Sequence, residues 1–314
     1  MTLRSLLRHE TILAALTVIV LILLAAQSDR FFTVDNLLNQ ARLMTEVGLV
    51  AIIMTFVIVT GGIDLSVGSI VGLTAILTGV FWKNVGMPLP VAALGAIACG
   101  TVAGLVNGLI ITRFRVPPLI ATLATLALYR GLAEGISQAR SVRGYPDWFY
   151  VLGQGNVLGI PTQIWILLAV AVLATIVLGL TRWGRIVYAI GSNEVAARFS
   201  GLPVDRAKLA IYTASGFVAA LAGVIFVSRV STTRSDMGTG LELDAITAVV
   251  LGGTSIFGGR GTVAGTLLGL VLIQALKNGL SLAGVKGDGT IVLIGLVLIV
   301  TILLSNIFHR DGNR

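Results

Sequence analysis

"VGLVAIIMTFVIVTGGIDLSVGSIVGLTAILTGVFW", residues 47–82, holds one charged side chain, Asp64, in 36 positions. A continuous helix of that length would reach about 54 Å at about 1.5 Å per residue, whereas the hydrocarbon core of a bilayer is about 30 Å thick. The stretch therefore contains two spans, and Gly61-Gly62 is where they part, because glycine releases the backbone from helical geometry. A helix restarting at Leu65 leaves amides without acceptors, and Asp64 stands where its carboxylate can accept from the amides of Ser66 and Val67 and complement the helix dipole. The same acid, with Ser66 and Ser69, also suits the lining of a polar route for a hydroxylated solute, since acids within membrane spans often face water-filled cavities.

The whole chain follows this pattern. Its 314 residues are 56% hydrophobic and 11% charged, with a mean hydropathy of +0.97, whereas soluble domains carry roughly 25% charged residues. The expected fold is an all-α polytopic membrane protein of about ten transmembrane helices, some broken or re-entrant, forming one transmembrane domain over residues 1–314. The yardstick of about 20 residues per span selects Thr11–Gln27, Leu43–Thr60, Leu65–Trp82, Leu89–Thr112, Pro118–Ile136, Gln163–Leu180, Leu209–Ser228, Ala245–Phe257, Thr262–Leu282 and Thr290–Ile307. The first is read as a retained anchor, since its apolar run is span-length and lacks a small-residue cleavage site. Ala245–Phe257 is too short for an ordinary span and runs into "GGTSIFGGRGT", so a half-helix or re-entrant segment is expected there, with Gly252, Gly253, Gly258 and Gly259 as its break points.

Glycines recur at helical contact spacing in Gly100, Gly104 and Gly108 and again in Gly261, Gly265 and Gly269, ridges that let membrane helices approach closely. The five letters "GTVAG" occur at 100–104 and at 261–265, either a trace of internal duplication or a coincidence in a Gly/Ala-rich chain. Asn107, an amide inside a span, joins Asp64, Ser66 and Ser69 as a candidate for the translocation path.

Two loops are long. Residues 137–161 mix Arg140, Arg143 and Asp147 with aromatics and turn residues; residues 181–208 carry Arg182, Arg185, Arg198, Arg206 and Lys208. The positive-inside rule makes the second loop cytoplasmic. Ten spans then put both termini in the cytoplasm, in keeping with Arg4, Arg8, Arg310 and Arg314, and place the 137–161 loop outside. Within "GSNEVAARFSGLPVDRAK", residues 191–208, Ser192 or Asn193 caps a short Glu194–Ser200 helix that Gly201 and Pro203 stop. Such a helix, outside the membrane and with few apolar residues, is either a docking surface or an ordinary charged connector.

Catalytic chemistry is not indicated. The sequence has no phosphate-binding G-x-x-x-x-G-K-[ST] loop, no H-E-x-x-H and no G-x-S-x-G. Cys99 lies alone in an apolar run, and His9 and His309 sit near the ends among arginines; none suggests a metal ligand. The net charge of +8 is dispersed between spans and points to membrane surface rather than nucleic acid.

"GGIDLSVGS" at 61–69, "NEVAARFSG" at 193–201, "ATLATLALYRG" at 121–131 and "AVVLGGTSIFGGRGTVAGTLLG" at 248–269 together resemble the membrane permease subunit of bacterial ribose-type sugar ABC importers, the carbohydrate-uptake class that also serves xylose, arabinose, rhamnose and autoinducer-2. Branched-chain amino-acid permeases, close in architecture, lack the first wording. The outer loop is more similar to members carrying rhamnose or autoinducer-2. The resemblance implies an inner-membrane protein working with a second permease, identical or paralogous, an ATP-binding subunit with two nucleotide-binding domains, and a periplasmic sugar-binding protein. It implies that ATP and Mg are bound by the partner and that this chain carries no cofactor. It also implies that Glu194, Ala196, Ala197 and Gly201 match the E-A-A…G coupling pattern, with Val195 shifting the alanines by one place, so that Asn193, Glu194, Ala196, Ala197, Arg198, Ser200 and Gly201 form the ATPase contact. The competing reading is an ion-coupled secondary transporter with Asp64 as the coupling carboxylate; Glu46, Glu134, Glu242 and Asp244 fall near span ends and leave it no relay.

Overall fold

The computed structural model describes residues 9–285 and, beyond them, residues 287, 289, 292, 295, 296 and 299. The expected span Thr290–Ile307 lies, apart from residues 292, 295, 296 and 299, outside the described residues, as do the terminal arginines. The described chain is almost wholly helical: α1 (His9–Gln27), α2 (Val34–Val59), α3 (Val67–Gly79), α4 (Leu89–Arg113), α5 (Pro118–Ser137), α6 (Asp147–Gln154), α7 (Thr162–Leu180), α8 (Arg182–Ser192), α9 (Glu194–Phe199), α10 (Val204–Val230), α11 (Leu241–Leu251) and α12 (Val263–Leu282). A π-helical turn, Val80–Asn84, extends α3, and with it seven helices are long and apolar enough to cross a membrane. The protein is an all-α, multi-pass membrane protein.

Helix starts follow the prolines. Pro88, Pro117, Pro146, Pro161 and Pro203 stand immediately before α4, α5, α6, α7 and α10, where a missing N–H costs no helical hydrogen bond. Helix ends follow the glycines. After α2, the left-handed Gly61 (φ 78°) donates its amide to Ile58 and Gly62 donates to Val57, a Schellman closure. After α11, Gly253 (φ 88°) donates to Val250 and Thr254 to Val249 in the same arrangement.

The interior is built from α2, α3 and α10, with α4 and α5 against α3 and with α7, α11 and α12 against α2; α1 packs on α12. A side chain at Gly104 would collide with the Tyr212 carbonyl and the Gly216 backbone, and one at Gly216 with Gly100 and Gly104. That close crossing of α4 over α10 is what the Gly100/Gly104/Gly108 ridge permits. The second ridge behaves likewise, since side chains at Gly265 and Gly269 would strike Ala248 of α11 and Gly252 just after it. Leu119, Leu123 and Leu128 of α5 and Leu168, Val172 and Leu173 of α7 remain exposed, an apolar outer face suited to lipid.

Several boundaries differ from expectation. The span Leu43–Thr60 begins nine residues earlier, at Val34, because Thr33 caps it by accepting from the Asn36 amide at 3.4 Å. Ala245–Phe257 is shifted and shorter: α11 has 11 residues, about 16 Å of helix at about 1.5 Å per residue, roughly half a bilayer core. The expected 137–161 loop contains α6 and a small hairpin, β1 (Asn156–Val157) with β2 (Ile160–Pro161). It is anchored by Tyr145 stacked between Trp82 and Phe149, with ring centroids 4.6 and 5.1 Å apart, and by Ser228 Oγ donating to the Phe149 carbonyl at 2.5 Å.

Candidate functional site

Two regions hold the residues singled out in the sequence. The first is the joint between α2 and α3. Asp64 is fully buried, and its Oδ1 accepts from the Ser66 amide at 3.0 Å and the Ser66 hydroxyl at 2.6 Å. Oδ2 accepts from Ser215 of α10 at 2.7 Å. Asn107 of α4 donates to Ser66 Oγ at 2.7 Å, Tyr129 of α5 donates to Asn107 Oδ1 at 3.4 Å and to the Ala103 carbonyl at 2.9 Å, and Ser69 donates to the Ser66 carbonyl at 2.7 Å. Asp64, Ser66, Ser69 and Asn107 thus belong to one network, in which α3, α4, α5 and α10 meet. All four are 0% exposed within the chain. The hydroxyl donors on Asp64 are neutral, which solvates a carboxylate without burying a second charge.

Sequence reasoning missed Ser215, Tyr129 and Tyr212. Tyr212 is buried and its hydroxyl lacks a hydrogen-bond partner among the described residues; a side chain at Gly62 would strike it. Gly62 is therefore needed for close approach, while Gly61 supplies the left-handed turn. Spaced by roughly 150 residues from Asp64, Ser215 had no local signal beyond being a small polar residue in an apolar helix.

The second region is the bracket formed by α8, α9 and the start of α10. Asn193 Oδ1 accepts from the Ala196 amide at 2.9 Å and so caps α9. At the far end Gly201 (φ 77°) donates to Arg198, and Leu202 donates to Ala197, again a Schellman closure. Ala197 is buried in a small cluster with Ile190, Val204 and Ala207, bordered by Trp183, Ile186 and Leu202. The helix has an apolar seat of its own, although few of its residues are apolar. Glu194 accepts from Arg198 at 2.9 Å and from Lys208 at 2.5 Å, and Arg198 also bonds Asp205 at 2.5 Å. Partial burial works to raise the Glu194 carboxyl, but the hydrogen bonds and charges of Lys208 and Arg198 outweigh it and hold the group below the usual carboxylate range. Bonds to Asp205 and Glu194 push the Arg198 guanidinium up.

Beside those paired charges, which stay partly exposed, α9 presents two large apolar side chains outward. Val195 is 62% exposed and Phe199 is 89% exposed, four residues apart and hence on one helical face. Ala196, Ser200 and Gly201 are exposed beside them. Phe199 has no signal in the sequence, and Val195 enters there only as the residue that shifts the alanines of the coupling pattern by one place.

The two regions touch. A side chain at Gly191 of α8 would fall on the Val59 carbonyl and the Gly259 amide, and one at Gly258 on Gly191 and Gly61. The Gly259 amide donates to the Val59 carbonyl at 2.9 Å, and the Tyr188 hydroxyl to the Gly261 carbonyl at 2.6 Å. The end of α2, the loop after α11 and the last turn of α8 therefore meet backbone to backbone at Gly191, three residues before α9 begins at Glu194.

The family model described as the branched-chain amino acid transport system / permease component matches residues 36–302, and the chain belongs to that family. Its relatives include the ribose import permease protein RbsC of Escherichia coli (strain K12), 40% identical over 306 residues that cover 96% of this chain and 94% of the relative. RbsC of Bacillus subtilis (strain 168) is 42% identical over 290 residues, 91% of this chain and 89% of that one. The autoinducer 2 import system permease protein LsrD of Escherichia coli O9:H4 (strain HS) is 37% identical over 309 residues, 96% and 93% of the two chains. No solved structure matches the chain.

Proposed function

We propose that this chain is the transmembrane permease subunit of an ATP-driven ABC importer for a monosaccharide or related polyol-like solute, of the kind that ribose and autoinducer-2 permeases carry. It sits in the bacterial inner membrane as a single permease domain with both termini in the cytoplasm. Residues 181–208 form the coupling loop and residues 137–161 the periplasmic loop, on which a sugar-binding protein rests. A second permease, identical or paralogous, completes the pathway. ATP and Mg are bound by a separate subunit with two nucleotide-binding domains, whose closure moves α9. The joint around Asp64, Ser66, Ser69 and Asn107 lies beside the route and shifts with the bracket through the glycine contact.

The observation that supports this reading best is α9 itself: a helix of six residues, capped at both ends, braced by ion pairs and seated on its own cluster, yet presenting Val195 and Phe199 bare. Exposed aromatic side chains on a rigid support are what anchor a partner. For the ion-coupled alternative, the neutral donors around Asp64 count against a coupling role and in favour of a structural acceptor.

The test is a gentle-detergent pulldown of the chain from its native cells. An ATPase with two nucleotide-binding domains should accompany it and be lost, several-fold or more, from Phe199→Asp. A chain that emerges alone and transports in liposomes under an ion gradient would overturn the importer reading.

A further inference from the structure

A cavity of about 580 Å³ opens at the end of the molecule opposite α9, among the first turns of α2, the last turns of α10 and α12 and the start of α11. Its volume falls in the range of roughly 300–1,000 Å³ that small-molecule sites occupy. Three carboxamides form a chain along its wall: Gln274 Nε2 donates to Gln40 Oε1 at 2.6 Å, and Gln40 Nε2 donates to Asn278 Oδ1 at 3.0 Å. The Gln274 carbonyl oxygen and the Asn278 amide group, at the two ends of that chain, take no hydrogen-bond partner among the described residues. A free acceptor and a free donor thus remain on one pre-set row.

The charges on the wall are cancelled. Arg229 bonds Glu46 at 2.7 Å, Arg234 bonds Asp236 at 2.5 Å and Lys277 bonds Asp244 at 2.6 Å. An ion would find every opposite charge already engaged. A hydroxyl group, which both donates and accepts, matches a carboxamide row, and the aliphatic side chains of Leu43 and Val47 on the same wall suit the C–H faces of a sugar ring.

We propose that this cavity is a receiving site for a neutral polyhydroxylated solute of monosaccharide size, with Gln40, Gln274 and Asn278 as its hydrogen-bonding residues. The class of solute rests on the importer reading; the geometry of the site does not. The row is ordered before the solute arrives, so little side-chain freedom is lost on binding.

Ser281, exposed on the cavity rim, provides the reporter. In the full chain reconstituted in nanodiscs, with Cys99→Ser to remove the native thiol, Ser281→Cys is labelled with a methanethiosulfonate ethylammonium reagent. D-ribose, D-xylose or L-rhamnose is present at high millimolar concentration, with glycine betaine as the non-hydroxylated control. At least one sugar should slow labelling several-fold while betaine does not, and Gln274→Leu and Asn278→Leu should each remove the protection in protein that stays monodisperse. A thiol that is never labelled, equal labelling with and without every sugar, or protection that survives both substitutions would overturn the site. The outcome is separable from the pulldown. Protection without a co-purifying ATPase retires the importer and keeps the site, whereas an ATPase without protection does the reverse.

Discussion

Asp64, wholly buried at the α2–α3 joint, takes its side-chain hydrogen bonds from the hydroxyls of Ser66 and Ser215, whereas Glu194, 36% exposed at the start of α9, takes its own from Arg198 and Lys208. Glu194 opens α9 and Asp64 stands three residues before α3, and in each case the surroundings choose the partner. Deep in the protein a cation would itself need dehydrating, at a cost of several kcal/mol per ion, while a hydroxyl supplies the same hydrogen bond without it. Near the surface the Arg198 guanidinium stays partly hydrated, so its pairing costs little and contributes modestly, while the Lys208 ammonium, 11% exposed, relies on Glu194 to offset its dehydration. Asp64 is thus a structural acceptor that ties α3 to α10, and Glu194 a brace that orients α9.

The largest effect should come from Asp64→Leu, which strands the Ser66 amide and two hydroxyls. Each buried donor left unsatisfied costs about 1–3 kcal/mol in soluble proteins, and membrane measurements run lower, near about 0.6 kcal/mol per bond, so a loss of about 2–5 kcal/mol is expected. Thermal unfolding in detergent measures it, and an unchanged midpoint would dissolve the contrast between the two acids.

Glu194→Lys should act next, and differently. Stability should fall by about 1–3 kcal/mol, because the nearly buried Lys208 loses its partner and gains a like charge beside it, while co-purification of an ATPase falls several-fold because three cations would crowd one side of α9. The pH dependence sharpens this. A carboxyl held below its ordinary value contributes above the unfolded value, near about 4.3 for Glu, and loses its contribution only as pH falls through the lowered folded one. ATPase retention by the unsubstituted chain should therefore be flat from neutral pH down into the mildly acidic range. A loss centred near the pKa of histidine would show that other groups hold α9.

The smallest effect belongs to Asp64→Asn. The side chain keeps an Oδ1 acceptor for the Ser66 amide, a local turn bond that Asn and Asp both make, so transport and unfolding should shift little. Abolished transport in a well-folded Asp64→Asn protein would instead make the negative charge itself functional and revive the ion-coupled alternative.

The helical class, the two broken points and the short capped helix were legible because each depends on local chemistry. Apolar runs exceed one bilayer thickness, paired glycines end α2 and α11, and an Asn-Glu pair with a following Gly brackets α9. The site's composition was less legible. Ser215 reaches Asp64 from another helix, and Lys208 reaches Glu194 from the start of α10, fixed only once α8, α9 and α10 fold together. The outward Val195–Phe199 face could not be read from a segment of six residues, too short for periodicity to show which side is buried; Ala197, not the larger side chains, turned out to face inward. The carboxamide row needed α2 and α12, 234 residues apart at Gln40 and Gln274, to lie side by side.

The contact of Gly61, Gly191, Gly258 and Gly259 bears on stiffness. Where helices meet through side chains, a small displacement of one is absorbed by rotamer changes before the other feels it. Here main chain rests on main chain, and there is no rotamer to take up slack. A push on α8, which leads directly into the exposed face of α9, reaches the end of α2 and the loop after α11 with little lost travel, and a methyl group added at Gly191 would jam the mechanism rather than loosen it.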